Sequence, residues 1–245
     1  MRMNAFQSLI LSLLFIPAVL NGQSRCLVIV EEVKTPPMFG FPAKTRKATT
    51  WLKNGDLRRD EGERSRTLLA LSSGEAWLVN HRDSTVVPLS EATLQGLSMF
   101  GVGLFGLPVD AVTGRPSVPD KLFRKTGRVQ AIGGRKAEEV EVRIPAPAGT
   151  VNPPQAPVLW IGTDGTPRMT EYLAVLKRLL GSAAADYEPL FEQLQRLKGY
   201  PLRIQAAVLG QELTQTLLSA DSARADASVF RLPDGYRRGS TKAVP

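Results

Sequence analysis

Between Cys26 and Leu89, short aliphatic and β-branched runs are separated only by turn residues, with no stretch long enough for a crossover helix. That spacing constrains the chain more than any other feature. Strands joined so tightly pair antiparallel, so a parallel nucleotide-binding sheet is excluded for this half. Leu27-Val28-Ile29-Val30 begins one strand. Thr49-Thr50-Trp51-Leu52-Lys53, the dipeptide Asn54-Gly55 and residues 56–60 form a hairpin, because Asn-Gly supplies the positive φ values of a type I′ turn. Residues 67–71 and 76–79 make a second hairpin, and 85–89 follow a turn in which His81 reads as an ordinary solvated histidine.

Farther along, residues 122–130 and 137–144 pair around Ile132-Gly133-Gly134, with Val140, Val142 and Ile144 expected inside and Glu139, Glu141 and Arg143 outside. The Pro-rich stretch 145–157 leads into the strand Val158-Leu159-Trp160-Ile161. Thr166-Pro167 opens a helix with Met169, Tyr172, Leu173, Leu176, Leu179 and Leu180 on one face, closed by Gly181. A second helix is expected over 186–198, then strands over 200–209 and 213–220, with 228–233 closing the domain. Ser90 N-caps an apolar segment carrying Leu94, Leu97, Phe100, Leu104 and Phe105. Gly96, Gly101, Gly103 and Gly106 weaken it as a helix. Antiparallel strands with one wet face need the other covered, and two amphipathic helices plus this segment are available to do so.

Arg2 followed by an apolar run over 6–20 and small residues at its exit has the parts of a secretory leader, too short to span a bilayer. The expected layout is a signal peptide at 1–22, a single domain at 23–238 and a frayed tail at 239–245, giving a soluble protein exported to the periplasm or otherwise outside the cytoplasm. One cysteine allows no internal disulfide, and Cys26 with His81 cannot supply a Cys/His metal site, so no metal and no cofactor are expected. Gln23-Ser24-Arg25 puts a bulky cation before Cys26, against lipidation there. The segment 101–106 fits G-x-G-x-x-G in letters but has no strand before it and no helix after it. With no catalytic constellation in view, the chain reads as a non-enzyme.

Lysine and arginine number 31 against 23 acids, a net charge of +8. The cations gather at Lys44, Arg46, Lys47, Lys53, Arg58, Arg59 and again over 121–136, without interleaved aromatics, so nucleic acid is not the expected partner. An anionic membrane surface or an acidic protein suits them better.

The pieces Trp51-Leu52-Lys53-Asn54-Gly55-Asp56-Leu57-Arg58, Val158-Leu159-Trp160-Ile161, Lys198-Gly199-Tyr200-Pro201-Leu202-Arg203-Ile204 and Asp226-Ala227-Ser228-Val229-Phe230-Arg231-Leu232-Pro233-Asp234-Gly235-Tyr236 resemble the exported bacterial DUF4412 proteins, a family of unknown function. The layout is more distantly similar to periplasmic lipoprotein-carrier and lipoprotein-receptor domains. That resemblance implies an α+β fold, a strongly curved antiparallel sheet forming a half-open barrel with a few helices on its concave side. It implies an extracytoplasmic binding protein, monomeric, with an apolar cavity for lipid, lipopeptide or lipidated protein. The expected cavity lining is Trp51, Trp77, Leu97, Phe100, Leu104, Phe105 and Trp160. The alternative is an envelope interaction or sensor module whose groove is filled and whose basic face meets a partner.

Overall fold

A computed structural model describes residues 25–37, 42–62, 65–89, 107, 115–144, 156–163, 170–208 and 211–239. The leader, the segment 94–106 and the loop 145–155 lie outside the described residues. The strands are β1 (Arg25–Thr35), β2 (Lys44–Lys53), β3 (Asp56–Glu61), β4 (Arg66–Ala70), β5 (Ala76–Asn80), β6 (Thr85–Pro88), β7 (Phe123–Ile132), β8 (Arg135–Val142), β9 (Val158–Gly162), β10 (Tyr200–Val208), β11 (Gln211–Arg224) and β12 (Arg237–Arg238). They form one sheet in the order β12-β6-β5-β4-β3-β2-β1-β11-β10-β9-β8-β7. Every pairing is antiparallel except β12 on β6, so the fold is α+β with a curved, unclosed antiparallel sheet, as expected.

The topology is two meanders joined at one seam. From β1 the chain walks outward to β6, crosses to β7 at the far edge, and walks back until β11 lies against β1. Asn54 and Gly55 hold φ of 51° and 85°, the pair a type I′ hairpin demands. Cys26 is buried in β1, and its thiol meets the Ala223 carbonyl at 3.5 Å across the seam.

Helix α1 (Thr170–Leu180) buries Leu173, Val175, Leu179 and Leu180 and ends where Gly181 takes φ 54°, a conformation a Cβ would strain. The second helix begins later than its apolar spacing predicts. A 3₁₀ stretch (Gly181–Tyr187) comes first, and Pro189 in the opening turn then starts α2 (Glu188–Arg196), which buries Leu190, Phe191 and Leu194. Both helices pack into one core with Leu52, Leu57, Leu68, Leu159, Ile161 and Leu202 of the sheet. On the opposite face the C-terminal stretch makes a 3₁₀ turn (Ala227–Phe230) rather than a strand. Asp226 caps it by accepting from the Ser228 N–H at 2.7 Å, and β12 follows.

The acid expected outside on β8 keeps the face opposite Val140 and Val142 but is buried there rather than wet: Glu139 is covered. A register shift in β7 between Lys125 and Val129 swings Arg128 over it, where the guanidinium Nε donates to Glu139 Oε1 at 2.8 Å.

A buried ion-pair cluster and a basic cleft on the sheet

Cross-strand register divides the helix-side face of β1 to β6 into rows. Leu27, Leu52, Leu57, Ala70 and Ala76 make the first, an apolar row. Ile29, Thr50, Arg59, Leu68, Leu78 and Val87 make the second. Glu31, Ala48, Glu61, Arg66, Asn80 and Thr85 make the third, and Val33 with Arg46, then Thr35 with Lys44, continue it. One face thus passes from hydrocarbon to charge within about 10 Å, since alternate residues are roughly 6.6 Å apart along a strand.

Arg59 stands at the border, with no solvent exposure. Its Nη1 donates to Glu31 Oε2 at 2.6 Å and to Thr50 Oγ1 at 2.8 Å, and its Nε lies 3.6 Å from Glu61 Oε1. Glu31 and Thr50 are equally buried. Burial pushes the Glu31 carboxyl above its ordinary value, and the Arg59 guanidinium pulls the other way. Gln215 from β11 lies beside this carboxyl and helps hold it, although its amide stops short of full hydrogen-bond geometry.

Beyond Glu61 the face opens into a cleft of about 830 Å³ at the strand ends. Among the described residues, Lys44, Arg46, Lys47, Arg66 and Arg82 line it against three carboxylates, Glu32, Glu61 and Asp83. The Arg66 guanidinium is held below its ordinary pKa by burial first. Glu61 and Asp83 oppose that, while Arg46 and Arg82 add like-charge repulsion. The sequence shows these cations as runs, but not that they converge.

The other face of the same strands carries a second polar chain. Arg58 donates to both oxygens of Asp60, at 2.9 and 3.2 Å, and to the Val229 carbonyl at 3.0 Å. Thr67 donates to Asp60 and lies 2.9 Å from His81 Nε2, while His81 Nδ1 lies 2.9 Å from the Tyr236 hydroxyl. His81 is therefore not the solvated turn residue its neighbours imply; it is half-buried and ties the C-terminal stretch to β4 and β5. Replacing Tyr236 by Phe removes one hydrogen bond and is expected to lower stability by about 1 kcal/mol. Denaturant unfolding that matches wild type would show the contact idle.

Of the expected lining residues, Leu97, Phe100, Leu104 and Phe105 lie outside the described residues. Strand alternation puts Trp51 and Trp77 in register with Arg58 and Leu69, on the face that the C-terminal stretch crosses. Arg58 lies over the Trp51 ring at 5.7 Å, and Trp77 borders a cavity of about 310 Å³ with Val86, Pro88, Leu89, Leu232 and Arg238. Trp160 is buried in the core cluster; its register with Arg203 puts it on the face of β9 opposite Leu159, where it donates its indole N–H to Gln205 at 3.0 Å. The structure does not bring the three tryptophans together. Among the described residues no group of three His, Cys, Asp or Glu could hold a metal ion, and no helix is long and apolar enough to cross a membrane.

No known family model matches the chain, and no curated protein does. The DUF4412 resemblance rests on the quoted residues alone. Solved structures do match in path. PNGF-II matches over 89% of this chain at 11% identity with a TM-score of 0.37, and this chain spans only 31% of its length. A LolA superfamily protein from Nitrosomonas europaea matches over 94% of this chain and 99% of its own, at 10% identity and TM-score 0.34. The lipoprotein LppX of Mycobacterium tuberculosis matches over 80% of this chain and 85% of its own, at 13% identity and TM-score 0.27. Likenesses at this level set no function for the chain.

Proposed function

We propose that this is an extracytoplasmic, non-enzymatic, monomeric binding protein that shelters a lipid or lipopeptide-like ligand between the helix-side face of its sheet and residues 94–107. The carrying observation is the route of the connection from β6 to β7. These strands are ten strand spacings apart, roughly 50 Å along the sheet. Of the connection's described apolar residues, Leu89, Leu107 and Leu122 are buried in the core that the helices cover, and Val118 packs against it half-buried. Leu97, Phe100, Leu104 and Phe105 therefore belong to a stretch anchored at both ends in that core, and α1 and α2, about 16 and 14 Å long, are short against the sheet they cover. Four glycines between residues 96 and 106 give that stretch backbone freedom, which suits a cover that must admit a ligand. The leader-like segment 1–22 supports a location outside the cytoplasm.

The test is binding of an uncharged fluorescent acyl probe. Wild type should bind it, Leu104→Glu should abolish binding with the thermal midpoint nearly unchanged, and Phe100→Ala should cost clearly less than the roughly 3–5 kcal/mol of a packed core phenylalanine. A wild type that binds no probe, or variants that simply unfold, would favour the second reading, an envelope interaction or sensor module with a filled groove. That reading has its own support in the close packing under the helices, where Leu57, Leu122, Leu173 and Tyr200 have no exposure.

A further inference from the structure

The basic cleft carries charge that the fold does not use. Each of its three acids already has another partner: Glu32 pairs with Lys34 at 3.0 Å, Glu61 with Arg59 at 3.6 Å, and Asp83 accepts from the Asn80 amide. Among the described residues, Lys44, Arg46, Lys47, Arg66 and Arg82 make no ion pair within 4 Å. Crowding Arg46, Arg66 and Arg82 costs energy that a bound anion would return. Three guanidiniums and two ammoniums offer more N–H donors than the two oxygens of a carboxylate accept, whereas a phosphate monoester presents three tetrahedrally disposed terminal oxygens and up to two charges, so that a guanidinium fork can take two of the oxygens while other cations reach the third. The cleft is also far larger than a bare phosphate, with room for the polyol or sugar such a group is esterified to.

We propose that this cleft binds a phosphate ester. Its position points to a source. The cleft continues the face whose first row is hydrocarbon, so an amphiphile with its acyl chains over Leu52 and Leu57 would place an anionic headgroup toward Arg46 and Arg66. That assignment to a lipid headgroup rests on the binding-protein reading above, whereas the phosphate site itself does not.

Calorimetric titration with sn-glycerol 3-phosphate and with monomeric dihexanoyl phosphatidic acid, its diacylated form with the same phosphate monoester, separates the two. Wild type should bind glycerol phosphate, more weakly as salt rises. The double variant Arg46→Gln/Arg66→Gln should weaken it by about tenfold per guanidinium removed. Lys44→Gln/Arg82→Gln, at exposed positions that the fold does not need, should weaken it similarly, and Lys121→Gln/Lys136→Gln, an equal loss of charge elsewhere, should not. Tighter binding of the phosphatidic acid than of glycerol phosphate identifies a lipid headgroup; equal binding identifies a soluble phosphate ester and leaves the site standing. A wild type that binds neither phosphate compound, or cleft variants indistinguishable from Lys121→Gln/Lys136→Gln, overturns the proposal. The uncharged acyl probe read on the same samples then shows whether the lipid reading survives without it.

Discussion

Replacing Arg59 by Met is expected to destabilise the protein by about 3–5 kcal/mol, because it leaves Glu31 and Glu61 facing each other in a dry interior without their cation. Denaturant unfolding reads this directly. The triple change Arg59→Met/Glu31→Met/Glu61→Leu, which removes the charges together, should recover most of the loss, since buried ion pairs can be replaced by packed hydrocarbon with little penalty. A single variant as stable as wild type would show that the cluster is solvated rather than buried. The same site has a pH signature. Burial raises the folded-state pKa of Glu31 above its ordinary 4.5, so the folded chain holds that proton more tightly than the unfolded one. The stability this contributes is complete below about pH 4.5 and is lost as the pH rises through the raised folded value. Glu31→Gln cannot titrate, so the stability of wild type relative to this variant should fall with rising pH across that window. A difference that is flat or rises with pH would contradict the direction.

The second large effect is expected at Gly199. A Cβ there would sit 2.3 Å from the Gly162 carbonyl oxygen and 2.5 Å from Ile161 Cγ2, where β10 starts against β9. The nearer atom is backbone in a paired strand and cannot swing aside. Gly199→Ala should therefore cost at least the roughly 1–3 kcal/mol of an overpacked core, and it should fail to accumulate where a substitution at Gly134, with open space around it, perturbs the turn alone. Normal yield and an unchanged thermal midpoint for Gly199→Ala would mean that β9 and β10 separate more easily than their register implies.

The hairpins were legible because their signals are local. Asn54-Gly55 fixes both the turn and, through it, the register of β2 with β3. The edge-to-edge crossing after β6 was not, because no residue in 89–122 announces which strand comes next to which. The ion-pair cluster was partly legible and was passed over. Leu27, Ile29, Glu31 and Val33 alternate, as do Leu57, Arg59 and Glu61, so the period that puts Leu27 and Leu57 inside puts Glu31 and Arg59 inside as well. Arg58-Arg59-Asp60-Glu61 reads as a wet strand only if charge is given more weight than period. His81 misled for the opposite reason: its partners Thr67 and Tyr236 are 14 and 155 residues away, beyond any local pattern.

The seam between β1 and β11 sets the order in which the molecule can assemble. Each wing is a run of neighbours that can find one another early, but Cys26 and Ala223 meet across 197 residues of chain. Closing a loop of that length costs roughly 5 kcal/mol in chain entropy before the two strands gain anything, and contacts so distant in sequence slow folding. Until the last long strand is made, β1 has an open edge, and the nascent chain consists of two half-sheets waiting to be zipped. The slowest step in reaching the native state is then this zipping. A circular permutant that joins residue 239 to Arg25 through a linker, so that β11 precedes β1 with the C-terminal stretch kept in place, should fold faster than the natural chain while unfolding at much the same rate.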